Sequence, residues 1–179
     1  FSWEDLSARY TAELANGFGN LASRTVAMVA RYFDAEIPQP SEYQQADKQV
    51  QAVAAQAVAG AEAAMDRVAI HEAIASTWKL VDELNNYITT QEPWVLAKEE
   101  STRERLGTVL YTSIEGLRVL AVLLAPVMPK ACEKLWAAIG SSLGELSNQS
   151  ISEAGEWGQL KPTTKISELE ALFPRVEEK

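Results

Sequence analysis

Residues 16–24, Asn16-Gly17-Phe18-Gly19-Asn20-Leu21-Ala22-Ser23-Arg24, lie near the middle of the first long amphipathic segment, and the rest of the chain is best read outward from them. Apolar residues in that segment recur at Leu6, Tyr10, Leu14, Phe18, Leu21, Thr25, Met28 and Tyr32. Steps of three and four mark one face of an α-helix. Asn16, Asn20, Arg24 and Arg31 fall on a second stripe. At about 100° per residue it lies roughly 140° around the helix from the first, so it points away from any core the apolar face builds.

The side chains on that outer stripe suit recognition. Asn offers a donor and an acceptor on one short amide and Arg a rigid fork of donors, a combination that fits the edge of an unpaired nucleobase. Gly17 and Gly19 each cost about 1 kcal/mol relative to Ala inside a helix. Two within three residues imply the close approach of another part of the chain. From these residues alone two readings stay open: a helix crossing with merely solvated amides, or a surface that reads a base.

Outward from this segment the pattern stays helical. A first helix is expected from about Trp3 to about Phe33, with Ser2 and Asp5 as a capping-box-like start. Pro38 and Pro40 break it into a short extended connection. Asp47 is expected to open a second, Ala-rich helix over 48–66, with Val50, Val53, Ala57 and Ala61 at helical spacing. A third follows on Ile70, Ile74, Trp78, Val81, Leu84 and Tyr87 or Ile88, separate from the second or one bent helix with it. Gln91-Glu92-Pro93-Trp94 is a break, because a residue before Pro avoids the α region and Pro lacks a donor. Trp94 is there either packed or offered as a stacking platform, and base stacking on an aromatic is worth about 1–3 kcal/mol. A fourth helix over 102–124 is apolar enough toward its end to be buried nearly all round, and a fifth over 130–139 closes at Gly140. After Ser141, Gly144, Gly155, Gly158 and Pro162 interrupt short apolar groups, and a turn is expected over Ser167–Leu172 with a Ser167–Glu170 cap. The fold class is all-α: a bundle of about five helices over 1–140, with an irregular C-terminal tail over 141–179.

Composition narrows the chemistry. Of 179 residues 47% are hydrophobic, which is enough for a proper core, and no alternating stretches suggest strands. No apolar run approaches the roughly 20 residues of a membrane span, and no basic-then-apolar leader opens the chain, so no membrane partner is expected. Phe1 in place of an initiator Met implies an excised piece of a longer chain. One cysteine, Cys132, excludes an internal disulfide and fits a reducing, cytoplasmic compartment. With one histidine, His71, metal sites of the His/Cys kind are excluded by count. A Cys132–His71 nucleophile pair is formally possible, but both lie in apolar helical surroundings that favour core packing. Asp82-Glu83, Glu99-Glu100 and Glu177-Glu178 read as solvated surface, and Gly17-Phe18-Gly19 lacks the third glycine and preceding strand of a phosphate loop. No residue is assigned a catalytic role.

The net charge of −9 argues against a generic nucleic-acid binder. Its distribution softens the objection: residues 1–33 balance three acids with three bases, whereas 34–91 hold nine acids against three bases and 141–179 seven against four. The acidic bulk is thus away from the outer stripe in sequence. Such a domain can read a few bases while backbone contacts come from elsewhere.

Three stretches carry a resemblance: Phe1-Ser-Trp-Glu-Asp5, Glu13-Leu-Ala-Asn-Gly-Phe-Gly-Asn-Leu-Ala-Ser-Arg24 and Tyr87-Ile-Thr-Thr-Gln-Glu-Pro-Trp-Val-Leu-Ala-Lys98. Together they resemble the anticodon-binding domain of bacterial methionyl-tRNA synthetases, class I enzymes, over essentially the whole chain. The resemblance implies that Asn20 and Arg24 hydrogen-bond the first anticodon base, a cytosine, that Trp94 stacks on it, that Asn16 is a weaker contributor and that Pro93 shapes the turn. It also implies a parent methionine–tRNA ligase using ATP and methionine, a tRNA(Met) anticodon loop and the parent's catalytic domain as partners, a tail returning toward that domain, and a monomeric fragment. The HIGH and KMSKS signatures of a class I catalytic domain are absent from this chain, so no cofactor is expected in it. Two alternatives stand beside this: the anticodon domain of another class I synthetase, and a helical scaffold binding a partner helix, which the acidic charge suits.

Overall fold

The structure is a computed structural model, and it describes residues 13–173. The helices are α1 (Asn20–Tyr32), α2 (Gln45–Asp66), α3 (Ile70–Gln91), the one-turn α4 (Pro93–Leu96), α5 (Arg103–Leu124), α6 (Pro129–Ile139) and the one-turn α7 (Ile151–Ala154). The expected bundle of about five is therefore present, with two single-turn helices added. The expected start at Trp3 and the Ser2–Asp5 cap lie outside the described residues.

α5 is the axis of the domain. Every residue from Leu106 to Leu124 is buried. Within Glu100–Leu124 an 18-residue window has a mean hydropathy of 1.4, so by length and composition this segment is apolar enough to cross a membrane, contrary to the sequence expectation. Its window is instead wholly covered by the other helices, which is the reason it can be so apolar. Leu84 of α3 lies on Gly116, where an added Cβ would come within 2.8 Å of both its methyl carbons. Leu80, Val81 and Ile88 fill the same layer.

α2 and α3 form an antiparallel hairpin rather than one bent helix. Val68, in the left-handed region at φ 55°, reverses the chain between them. The two helices approach closely, since a Cβ on Gly60 would fall 1.9 Å from Ser76 Oγ. Small residues on α2, chiefly Ala54, Ala57, Ala61 and Ala64, are the buried ones and permit this. α2 begins earlier than expected, at Gln45. Asp47 lies within its first turn, fully buried, and Oδ2 accepts the Gln44 N–H at 2.8 Å.

Phe18, Leu21 and Thr25 of the predicted apolar face are buried, and Ala22, Val26 and Val29 widen it. Ahead of α1, Leu14–Gly19 is π-helical rather than α-helical. Asn85 Nδ2 donates to Gly17 O at 3.2 Å, fastening this segment to α3. A Cβ on Gly17 would fall 3.0 Å from Trp78 Cζ2, so this glycine marks a helix crossing.

The tail from 141 to 173 is irregular and tightly bonded. Glu115 and Arg118, an ion pair buried in α5, organise it: Glu115 Oε1 accepts Gly158 N and Gln159 N at 2.9 and 3.0 Å, and Oε2 accepts Leu160 N at 3.1 Å. Arg118 donates to Ala154 O and Glu156 O. Further on, Thr163, Thr164 and Ile166 bond to Ile37 and Ala35 after α1. The turn expected at Ser167–Leu172 does not form. Residues 166–171 have no helical structure; this stretch runs extended, with Ile166 N and Ser167 N donating to Ala35 O and Ala138 O. Gly140 does follow α6, but at φ −97°. It is needed for space rather than for a left-handed turn, a Cβ there meeting the Trp136 ring at 2.7 Å.

Candidate nucleic-acid interface

Four chain ends meet at one end of the bundle: the end of α1, the start of α2, the end of α3 and the start of α5. The elbow between α3 and α4 is built there. Gln91 ends α3, and Glu92 takes the left-handed conformation at φ 49°, ψ 60°, a position that costs a non-glycine residue about 1–2 kcal/mol. Pro93 then starts α4, where its missing N–H is no loss. Pro93 is buried and Trp94 is 39% exposed. The elbow therefore turns the indole outward, with Val95 exposed beside it.

Both flanks of the elbow are tied to α5 or to the residue that leads into it. Arg105 Nη2 donates to Gln91 Oε1 at 2.7 Å, and Thr102 Oγ1 donates to Leu96 O at 2.6 Å. Arg105 is itself held by a bidentate pair with Asp47, at 2.7 and 2.9 Å. The Tyr87 hydroxyl donates to Asp47 Oδ1 from the other side. Burial alone would raise the Asp47 carboxyl; the hydrogen bonds from Arg105, Tyr87 and Gln44 and the Arg105 charge outweigh it and hold the group below its ordinary value. Burial, followed by the bond to Asp47, raises the Tyr87 phenol, keeping it a donor. This support was missed in the sequence. Its only signals were a charged residue in the first turn of a very apolar helix and an acid in the first turn of an Ala-rich one.

Arg24 reaches the elbow from α1, its Cζ 6.0 Å from the Trp94 ring centroid. That is the outer limit of a cation–π contact, so the pairing is weak and reversible. Arg24 is exposed and makes no ion pair or hydrogen bond among the described residues. Asn20, one turn earlier, is also exposed, with an amide free of hydrogen bonds among those residues. Thus Arg24 and Trp94 are brought together and Asn20 lies on the Arg24 stripe. Asn16 opens on a different feature, a shallow cleft of about 590 Å³ lined with Glu13, Gly17, Trp78 and Asp82. Its two carboxylates are unsuited to phosphate.

His71 is exposed on the first turn of α3, contrary to the apolar setting expected for it. Cys132 is buried, and its thiol is pushed up to about 12 by burial and by the Glu133 charge, which leaves no thiolate to act as a nucleophile. Among the described residues no three His, Cys, Asp or Glu side chains are grouped to hold a metal ion.

Residues 47–178 match the family profile described as the anticodon-binding domain of tRNA ligase. The methionine–tRNA ligase of Streptomyces coelicolor is 44% identical over 184 residues, covering 100% of this chain and 34% of that protein. That of Caldanaerobacter subterraneus is 41% identical over 177 residues, covering 99% and 27%. Among solved structures, the apo form of Mycobacterium tuberculosis methionyl-tRNA synthetase superposes with a TM-score of 0.88 at 32% identity, over 100% of this chain and 36% of that one. The same enzyme bound by methionyl-adenylate gives 0.86 at 32% identity, over 97% and 34%. The chain spans about a third of the length of these relatives.

Proposed function

Because the chain belongs to the family of anticodon-binding domains of tRNA ligases, we propose that it reads the CAU anticodon of tRNA(Met) for a methionine–tRNA ligase that attaches methionine using ATP. The parent's catalytic domain, and not this one, would hold ATP and methionine. In this reading the domain is monomeric and cytoplasmic, residues 1–140 do the reading, and 141–179 lead back toward the catalytic domain.

The first anticodon base, a cytosine, is lifted from its stack onto the Trp94 ring. As the base takes that face, Arg24 moves from above the indole to the base's Watson–Crick edge, which it shares with the Asn20 amide. Asn16 contributes at a neighbouring nucleotide, and Pro93 sets the angle at which the ring is presented. The observation that carries this is the meeting, from two different helices, of an exposed indole and an exposed guanidinium that has no ion pair or hydrogen bond among the described residues. An unpaired base exposes both a face and an edge, and this pair meets both.

The test is binding of an RNA hairpin with a CAU loop against one with its first anticodon base changed. Arg24→Ala should remove about 1–3 kcal/mol of discrimination at that base and barely change binding of the altered hairpin. Equal weakening toward both hairpins would mean that Arg24 touches only backbone. A scaffold with no RNA ligand would show neither binding nor salt dependence.

A further inference from the structure

Two exposed arginines beyond Arg24 lie on aromatic rings at the same end of the bundle. Arg31 is seven residues after Arg24 on α1, a near-integral two turns, so it repeats the same stripe about 10 Å further along the axis. Its Cζ lies 5.7 Å from the centroid of the Tyr32 ring. Arg103, the first residue of α5, has its Cζ 4.5 Å from the centroid of the neighbouring Phe33 ring. Neither arginine is in an ion pair or hydrogen bond among the described residues, and both are exposed.

The cluster joins the Trp94 elbow by two routes. One is along α1 from Arg24; the other is through the start of α5, where Thr102, just ahead of the helix, and Arg105, in its first turn, hold the elbow's two flanks. We infer that Arg31 and Arg103, braced on Tyr32 and Phe33, form a second subsite that takes the phosphates of the RNA strand continuing from the base held at Trp94. The assignment rests on the anticodon-reading function proposed above, and it departs from the sequence expectation by placing some backbone contacts within this domain.

The chemistry favours phosphate over a base edge or an acidic protein. Arg103, close over its ring, keeps its edge donors free and gives up little rotamer freedom on binding, which suits bidentate contact with phosphate; Arg31, farther from its ring, is held more weakly and adds its charge. The spacing fits a strand: about 10 Å is roughly three stacked nucleotides at about 3.4 Å each. A domain of net charge −9 needs cations placed along the RNA path, and Arg31 continues the stripe begun by Arg24.

Arg31→Gln and Arg103→Gln, made in the ligase chain that carries this domain, test the subsite by titration with the CAU hairpin and the single-base variant over a series of salt concentrations. Each variant should weaken both hairpins by the same factor, about three- to tenfold at low salt, and lower the slope of log affinity against log salt by about 0.7–0.9. Arg31→Lys and Arg103→Lys should restore most of the slope, which a purely structural role would not do, and thermal melts report whether each variant is folded. Unchanged affinity and slope in folded variants would overturn the subsite, as would a loss confined to the CAU hairpin. A wild-type protein indifferent to the base change would sink the base-reading function, while the salt slopes would still report on the subsite.

Discussion

Arg105→Ala is the most informative single perturbation, because it removes the cation from a carboxylate that has no access to solvent. Asp47 is 0% exposed and keeps only the Tyr87 hydroxyl and the Gln44 N–H once Arg105 is gone. Removing one partner of a buried pair costs about 3–5 kcal/mol. The Arg105 side chain is 16% exposed, so water entering where it stood should bring the loss toward the lower end, about 3 kcal/mol at pH 7. The pH dependence gives the sharper check. In the native protein the Asp47 carboxyl is held low, so its stabilising contribution is complete above about pH 4, its unfolded value, and is lost as pH falls through the lower folded value. Without Arg105, burial dominates and the folded value rises above the unfolded one. The variant's penalty is then greatest at neutral pH and shrinks as acid protonates Asp47. Urea titrations followed by far-UV circular dichroism at pH 7 and near pH 4.5 measure both quantities, with m expected to stay constant. A penalty below about 1 kcal/mol at pH 7, or one equal at the two pH values, would refute the account. The same variant frees Gln91, so the base discrimination proposed for the Trp94 elbow should fall in the molecules that remain folded.

Glu115→Gln should cost about 3–5 kcal/mol by leaving Arg118 uncompensated, and proteolysis should then cut faster between residues 154 and 160, where the tail is bonded to that carboxylate; an unchanged cleavage rate would show that the tail is held by other contacts. Gly116→Ala sets a helix-propensity gain of about 1 kcal/mol against overpacking of about 1–3 kcal/mol where its Cβ meets Leu84, so a net loss is expected in thermal melts. Cys132 should resist alkylation at pH 8 in the folded protein and react promptly in denaturant, since its thiol is buried and titrates at about 12.

The all-α class, the breaks at Pro38–Pro40 and Pro93, and the outward stripe of Asn20 and Arg24 were legible because each depends on local rules. Helical periodicity and the backbone restrictions of proline act within a few residues. The π-turn at Leu14–Gly19 was not legible, since helical spacing alone does not distinguish its hydrogen bonding from an α-helix, and it is Asn85, far along the chain, that bonds to Gly17 O. The missing turn at Ser167–Leu172 is a similar case: a local cap signal did not show that the chain there runs extended and is fastened to residues 35 and 138.

By itself the sequence determined which stretches form helices, which face of α1 is apolar, and that Asn20 and Arg24 face away from it. Only tertiary structure decided that Arg24 would meet Trp94 across 70 positions of chain, and that Asp47, Tyr87, Gln91 and Arg105 would converge behind the elbow. The physical reason is range. Periodicity and capping are properties of neighbours along the chain, whereas a guanidinium over an indole and a buried carboxylate with three donors exist only once four helix ends have been packed into one place.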